Sequence, residues 1–340
     1  MTTEVSVIVP CYNESTTILR LLEAVVRQDF PRGRLEVVIA DGMSSDGTRD
    51  LIHAFASAHP DSRIDIVENP GRSIPSALNR AIDAAKGSVL LRLDAHSAPT
   101  PDYVARCVRT LEQTAAANVG GQWRIEPGAE TWIARSIAAA VADPLGAGDA
   151  RYRTGGPAGP VDTVPFGAFP RAWIERVGGY DETLLANEDY ELNWRLRQAG
   201  GTIWFDPAIR CAYLARPRLV DLARQYARYG FWKARMLLRH PASLRWRQAA
   251  PAGFVLGSLL LALLGGLAPF AWIVLGAVWL AYLLALFARS TAIARRRRSA
   301  SLVLGVPLAL GIIHLSWGAA FLVGGLTGLA RRERIHSEAL

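Results

Sequence analysis

Asp94 and His96 stand one residue apart where the apolar run Ser88–Asp94 (SVLLRLD) ends. In extended chain both side chains point to the same side, and a carboxylate beside an imidazole is a donor set for a divalent cation. Two other apolar runs end in the same manner. Val5–Pro10 (VSVIVP) runs into Cys11-Tyr12-Asn13-Glu14, and Leu35–Asp41 (LEVVIAD) into a stretch containing Asp46. Three polar ends, two carrying Asp, argue for one site assembled from separate loops, against the alternative that Asp and Asn merely favour turns. No G-x-G-x-x-G or G-x-x-x-x-G-K-[ST] follows the first run, so a Gly-rich phosphate cradle is not expected there. A nucleotide diphosphate can instead be held through a cation. Oxygen donors suit Mg2+ or Mn2+, with Asp94 as the protein ligand.

The elements that must position these residues are legible from periodicity. Strands are expected over Val5–Pro10, Leu35–Asp41, Ile64–Glu68 and Ser88–Asp94, with helices over Thr16–Gln28, Thr48–Ala58 and Ser73–Ala85 between them. Strands alternating with helices of this length predict an α/β fold, a mostly parallel sheet with helices on both faces. Ligands of such sheets lie beyond the carboxyl ends of the strands, where the polar ends stand. Further on, Gly155–Pro160 reads as a loop, Val161–Phe169 as a strand, and Glu188–Gln198 as a helix stopped by Gly200-Gly201.

The chain has 340 residues, 51% of them apolar, and a formal net charge of +8. The apolar residues are concentrated after Pro251. Runs over 252–268, 270–288 and 302–329 are each long enough for a membrane-spanning helix, which needs about 20 residues. Before them, Leu219–Leu238 forms an amphipathic pattern rich in Arg, Tyr and Trp, suited to a membrane surface. The basic excess is nearly all Arg and flanks the apolar runs, which points to anionic lipid head groups and away from nucleic acid. Four segments are therefore expected: a cytosolic domain over 1–215, an interfacial segment over 216–248, about three transmembrane helices over 249–330, and a basic tail over 331–340. Arg295–Arg298 should face the cytosol, making the first two runs a hairpin. The third run would then carry Arg331, Arg332 and Arg334 outward against the positive-inside tendency, unless it is re-entrant. Cys11, Cys107 and Cys211 form no C-x-x-C, so a disulfide framework or zinc site is not expected and a reducing compartment fits. The first strand begins almost at once, which is read as leaving the N-terminal portion in the cytosol.

SVIVPCYNE (Ser6–Glu14), ADGMSSDGT (Ala40–Thr48), RLDAHSAP (Arg92–Pro99) and NEDYELNWRLRQAGG (Asn187–Gly201) together resemble the family 2 glycosyltransferases, over about the first 240 residues and in order. Within that family the motifs are most similar to the succinoglycan-biosynthesis type of bacterial exopolysaccharide assembly. The resemblance implies a GT-A-like fold and an inverting transfer of a hexose from a nucleotide sugar. It implies that Pro10, Tyr12, Glu14, Asp41, Asp46, Arg92 and Asp94 form the nucleotide-sugar site, with Asp41 bonding the base, usually uracil, and Asp46 supporting its loop. Asp94 matches the first Asp of the family's metal motif. His96 replaces the usual second Asp, so it is either a metal ligand or a hydrogen-bond donor to phosphate.

Asp189 matches the family's catalytic base. A carboxylate within reach of the acceptor hydroxyl can take the proton released as that oxygen attacks. On the residues alone, Asn187, Glu188 and Asp189 would equally cap a helix and complement its dipole. Gln225 and Arg228 lie three apart in a stretch resembling the Q-x-x-R-W motif, with Tyr229 for the Trp. Arg228 could meet the donor diphosphate or lipid head groups. Cys11 is read as packed, His314 as a helix-interface residue or a functional one, and Trp123, Trp132 and Trp173 as core. The expected partners are a UDP-hexose donor, glucose as first choice, a lipid-linked saccharide acceptor, and the lipids of a bacterial cytoplasmic membrane, with the catalytic domain on the cytosolic side. Two alternatives stand beside this reading: a transferase acting directly on polyprenyl phosphate, of the dolichyl-phosphate mannose synthase type, and a non-catalytic membrane scaffold.

Overall fold

A computed structural model describes residues 4–338, with side chains up to Leu329. The expected tail over 331–340 lies outside the described side chains. The chain folds into two compact units: residues up to Arg124 together with Ala150–Tyr213, and Ile125–Asp149 together with the chain from Leu214 onward.

The first unit is built on one mixed sheet. Strands β1 (Val5–Cys11), β2 (Leu35–Asp41), β3 (Arg63–Glu68) and β4 (Val89–Arg92) are parallel and adjacent in the order β3-β2-β1-β4. Register sets Val5 against Leu35 and Val89, so the three polar strand ends fall side by side. Helices α1 (Ile18–Val26), α2 (Thr48–Ala58) and α3 (Ile74–Ala84) make the crossovers that parallel pairing requires. Ser73 caps α3, its hydroxyl accepting from the Ser76 amide, with Pro75 in the first turn.

Beyond β4 the pairing turns antiparallel. The order continues β8 (Ala168–Pro170), β6 (Asn118–Pro127), β9 (Ile203–Ala215) and β5 (Ala98–Pro99), with β7 (Gly159–Pro160) also on β9. Helix α4 (Tyr103–Thr114) precedes β6. The short helices α7 (Arg151–Thr154) and α8 (Arg171–Val177) flank β7 and β8, and α9 (Glu188–Gln198) precedes β9. The strand expected over Val161–Phe169 is corrected here: only Ala168–Pro170 is strand. Pro165 offers no amide to a ladder, and Phe166 is held at φ 52°, a conformation that breaks an extended run of non-Gly residues. Ile8, Val38, Leu78, Leu90, Phe169 and Leu196 belong to the core that fastens the helices to this sheet.

Gly121 on β6 has no room for a side chain, because a Cβ there would lie 1.9 Å from the Ile209 carbonyl oxygen on β9. Backbone cannot step aside as a side-chain tip can. Gly121→Ala should cost about 1–3 kcal/mol or more through overpacking, read as a lowered thermal midpoint of the purified chain in detergent.

The second unit is helical: α5 (Trp132–Val141), α6 (Pro144–Ala147), α10 (Leu219–Arg239), α11 (Trp246–Gly265), α12 (Phe270–Arg297) and α13 (Leu302–Glu338). Ile137, Val141, Leu222, Leu286, Val306 and Ile313 lie in its core. Helices over Trp246–Gly265, Phe270–Arg297 and Leu302–Leu329 are long and apolar enough to cross a membrane. Trp132, expected in a core, is 43% exposed. Cys11, Cys107 and Cys211 are free and buried.

Candidate active site

The ends of β1 and β2 form two loops laced to each other. Asn13 takes φ 53°, so its Oδ1 accepts from the Ser45 amide at 3.0 Å while its own amide donates to Ser44 Oγ at 2.8 Å. The Glu14 amide donates to Thr48 Oγ1 at 2.9 Å. Asp46 joins both loops, its Oδ2 accepting from the Ser15 amide at 3.0 Å and its Oδ1 from the Thr48 amide at 3.1 Å. The Thr48 hydroxyl and these amides hold the Asp46 carboxyl well below the usual carboxylate range. Asp41, fully buried, accepts from Ser44 Oγ at 2.6 Å and from the Ser44 amide at 3.1 Å. Pro10 is buried in β1. Tyr12 is 45% exposed, packs over Gly42, and lies 5.8 Å below the Arg72 guanidinium. Together they leave a ledge with one open aromatic face and a rigid acidic floor.

Arg92, at the end of β4, is the hub of the site. It is only 3% exposed and is surrounded by three carboxylates. Its Nε donates to Asp94 Oδ1 at 3.1 Å, its Nη1 to Asp189 Oδ1 at 2.5 Å, and its Nη2 to Glu188 Oε1 at 3.1 Å. The Tyr180 ring covers it at 5.9 Å. Burial alone would lower the guanidinium's pKa, but Asp189, Asp94 and Glu188 outweigh it and keep the charge in place. The same burial pushes Asp189 up to about 7, against Arg92 and with the help of Glu188 and Asp94. Asp189 Oδ2 has no hydrogen-bond partner among the described residues, and the side chain keeps 21% of its surface open. A carboxyl that is partly open and titrates near neutrality is suited to take a proton.

Asp189 owes its place to the anchoring of α9. Asn193 Oδ1 accepts from Asn118 Nδ2 at 2.6 Å, and its Nδ2 reaches Thr163 Oγ1 at 2.9 Å and the Val164 carbonyl at 3.0 Å. On the next turn Arg195 pairs with Glu191 at 2.7 Å and donates to the carbonyls of Val177, Gly178 and Gly179. None of Asn118, Asn193 and Arg195 stood out by sequence. The Glu191–Arg195 spacing of four on a helix was the available signal.

His96 turns towards Glu14, with Nδ1 3.3 Å from Oε1. A carboxylate can only accept, so the proton lies on Nδ1. In its neutral form an imidazole held in this way carries its lone pair on Nε2, and that form ligates metals. Burial would raise the Glu14 carboxyl, but the His96 and Thr17 contacts prevail and hold it below its ordinary value. Among the described residues no three His, Cys, Asp or Glu side chains form a metal cage. Asp94 has one oxygen engaged by Arg92 and the other without a partner among the described residues. That donor set fits an open Mg2+ or Mn2+ site in which phosphate oxygens and water complete the shell.

Beside His96 lies an aromatic cluster. Tyr213 is edge-on to His96 at 6.4 Å and stacks on Trp123 at 4.2 Å, while Phe166 and Tyr152 pack against the indole at 5.1 and 5.0 Å. Trp123 Nε1 is buried without a hydrogen-bond partner among the described residues. Gln225 and Arg228 belong to the second unit, on α10, where Gln225 Nε2 donates to the Tyr229 hydroxyl at 3.1 Å and Arg228 is exposed.

Residues 6–178 match the model of glycosyl transferase family 2. The chain is 33% identical over 320 residues to the succinoglycan biosynthesis protein ExoA of Rhizobium meliloti (strain 1021), covering 93% of each. It is 28% identical over 258 residues to the dolichyl N-acetyl-alpha-D-glucosaminyl phosphate 3-beta-D-2,3-diacetamido-2,3-dideoxy-beta-D-glucuronosyltransferase of Methanococcus voltae, covering 74% of this chain and 78% of that protein. Among solved structures, a mannosyltransferase of Pyrobaculum calidifontis in complex with GDP-Man and Mn2+ aligns with TM-score 0.62 at 23% identity, over 96% of this chain and 88% of that one.

Proposed function

Since the chain belongs to glycosyl transferase family 2 and is a glycosyltransferase of GT-A-like fold, we propose that it moves a hexose from a UDP-sugar to a lipid-linked saccharide at the inner face of a bacterial cytoplasmic membrane, with inversion and with glucose as first choice. The observation that carries the reading is the single buried guanidinium of Arg92, which holds Asp94 on one side and Asp189 on the other. One end serves the donor diphosphate and the other the acceptor hydroxyl. The relative from Rhizobium meliloti, named for succinoglycan biosynthesis, supports a polysaccharide product. The one from Methanococcus voltae, named for a dolichyl-phosphate saccharide, supports a lipid-linked acceptor.

Transfer is a single displacement. The acceptor oxygen forms a bond to the anomeric carbon as the bond from that carbon to the diphosphate oxygen breaks, and the hydroxyl proton passes to Asp189. Arg92 fixes the Asp189 carboxylate through Oδ1 and leaves Oδ2 for that proton. Asp94 and His96 would hold a divalent cation, which when bound neutralises charge on the departing diphosphate. Tyr12 and Asp41 would receive the base, and Asp46 keeps their loops in register. Gln225 and Arg228 would meet the donor or the lipid head groups from α10.

Incubating the purified chain and native membranes with labelled UDP-glucose, UDP-galactose, UDP-GlcNAc and GDP-mannose, then resolving the lipid extract, tests the reading. A labelled oligosaccharide lipid is expected. A single-sugar polyprenyl phosphate would favour the synthase alternative, and no product from any donor would leave the scaffold. Excess EDTA should remove turnover, and Mn2+ or Mg2+ should restore it. Transfer unaffected by the chelator would refute the metal assignment to Asp94 and His96.

A further inference from the structure

We propose that only the α11–α12 hairpin enters the bilayer, and that α13, though long and apolar enough to cross, lies along the membrane surface beneath α10 with its bare stripe in the headgroup–acyl boundary. This rests on the reading that the chain is membrane-bound.

The middle of the α13 apolar stretch is the first evidence. His314 Nε2 donates to the Leu145 carbonyl at 2.8 Å, and its Nδ1 accepts from the Tyr282 hydroxyl at 2.9 Å. Leu145 belongs to α6, a helix of one turn whose cap Asp143 accepts from Arg289 Nε at 2.8 Å. Just beyond it Asp149 pairs with Arg247. If α13 spanned, His314 would stand near mid-bilayer, and a polar loop with two ion pairs would stand level with it. Hydrocarbon does not accommodate irregular backbone or charge at that depth.

The second half of α13 adds an independent argument. It runs alongside α10, in the same direction and at backbone contact. A Cβ on Gly230 would lie 2.3 Å from the Trp317 carbonyl oxygen, and one on Gly324 would lie 2.5 Å from that of Phe231. Arg235 Nη2 donates to Thr327 Oγ1 at 3.2 Å. Helix α10 also bears Arg224, Arg228, Lys233 and Arg239. A spanning α13 would draw this cationic helix into the hydrocarbon with it, where each charge is strongly disfavoured.

The hairpin differs in every respect. Between Ala252 and Ala288 it has no charged residue. Phe254 packs on Trp279 and Tyr282, and Gly265 admits the Trp272 indole, so the two helices close on each other. Towards the turn, Leu263, Leu267 and Ile273 are 74%, 86% and 75% exposed. Helix α13 meets the half of the hairpin away from the turn: Trp317 Nε1 donates to the Gln248 carbonyl at 3.1 Å, Ser290 Oγ to that of Leu302 at 2.7 Å, Gly318 packs against Pro251 and Val255, and His314 meets Tyr282. The exposed Leu315, Val323, Leu326 and Leu329 recur on one face of α13, opposite Gly324 and α10. One apolar stripe backed by a cationic helix is the pattern of an interfacial element on an anionic lipid surface.

The test uses the full chain in sealed vesicles of known orientation, with one cysteine at a time: Ala300→Cys, or a cysteine appended after Leu340. Cys11, Cys107 and Cys211 are buried. A membrane-impermeant maleimide should label both positions from the same face, and both should lose labelling in vesicles of opposite orientation. Labelling from opposite faces overturns the proposal. Spin labels at Leu315→Cys, midway along α13, and Leu259→Cys, midway along the hairpin, give a second measurement: a water-soluble relaxant should reach 315, at the headgroup–acyl boundary, more readily than 259 in the acyl core. Equal protection of both also overturns it. If alkaline carbonate releases the chain from membranes, the membrane reading itself fails, and the topology fails with it.

Discussion

Asp189→Asn is expected to lower kcat for sugar transfer by about 10²–10⁴-fold, the usual contribution of a positioned general base, while the affinity for the nucleotide sugar stays close to that of the parent chain. The amide matches the carboxylate in shape, and its Oδ1 can still accept from Arg92 Nη1. What it lacks is an oxygen able to accept the acceptor's proton. Donor affinity by calorimetry and turnover by transfer of labelled sugar separate the two effects. Turnover equal to the parent would remove Asp189 from the chemistry and revive the scaffold alternative.

The same carboxyl predicts a pH profile. It is raised to about 7 in the folded chain, chiefly by burial. The proton therefore stays on as pH falls below that value, and the basic form that catalysis needs is depleted. The kcat should fall about tenfold for each pH unit on the acid side and level off on the alkaline side. Glu188 is one of the groups raising Asp189, so Glu188→Gln should move the limb towards lower pH. An unmoved limb would mean that another group sets it.

The parts of this protein legible in its sequence are those fixed by local patterning. The runs that became β1, β2 and β4 each end within two residues of an acid or polar loop, and parallel register then places those ends together. Helix α9 was legible because Glu188 and Asp189 open it and Gly200 closes it. The three helices long and apolar enough to cross a membrane follow from composition. The hydrogen bonds by which Asn13 and Ser44, and Glu14 and Thr48, lace the two loops were not legible, since Asn, Ser and Thr read as ordinary turn formers. Nor was the membership of Ile125–Asp149 in the helical unit, because α5 is too short to show a membrane signature. Val161–Phe169 misled because its β-branched residues satisfy a strand pattern that Pro165 and Phe166 then break. Arg92 was legible as part of a motif but not as a hub, because its partners Glu188 and Asp189 lie far along the chain and only the folded backbone brings them to it.

Arg92→Met should therefore be the most disruptive single change in the first unit. Removing one partner of a buried ion pair leaves the others uncompensated and costs about 3–5 kcal/mol. Here three carboxylates, those of Asp94, Glu188 and Asp189, would face one another without a cation. Arg92→Lys keeps the charge, but one ammonium on a flexible stem cannot donate along three fixed directions. It should fold, with a lowered kcat, because Asp189 would no longer be held in line with Asp94. A double-mutant cycle decides whether charge or packing is responsible. If charge dominates, Glu188→Gln in the Arg92→Met background should be far less harmful than the sum of the single changes, because it removes one of the stranded acids. Strictly additive midpoints in thermal unfolding would show that Arg92 acts by filling space. The link it provides between the donor and acceptor ends of the site would then have no energetic basis.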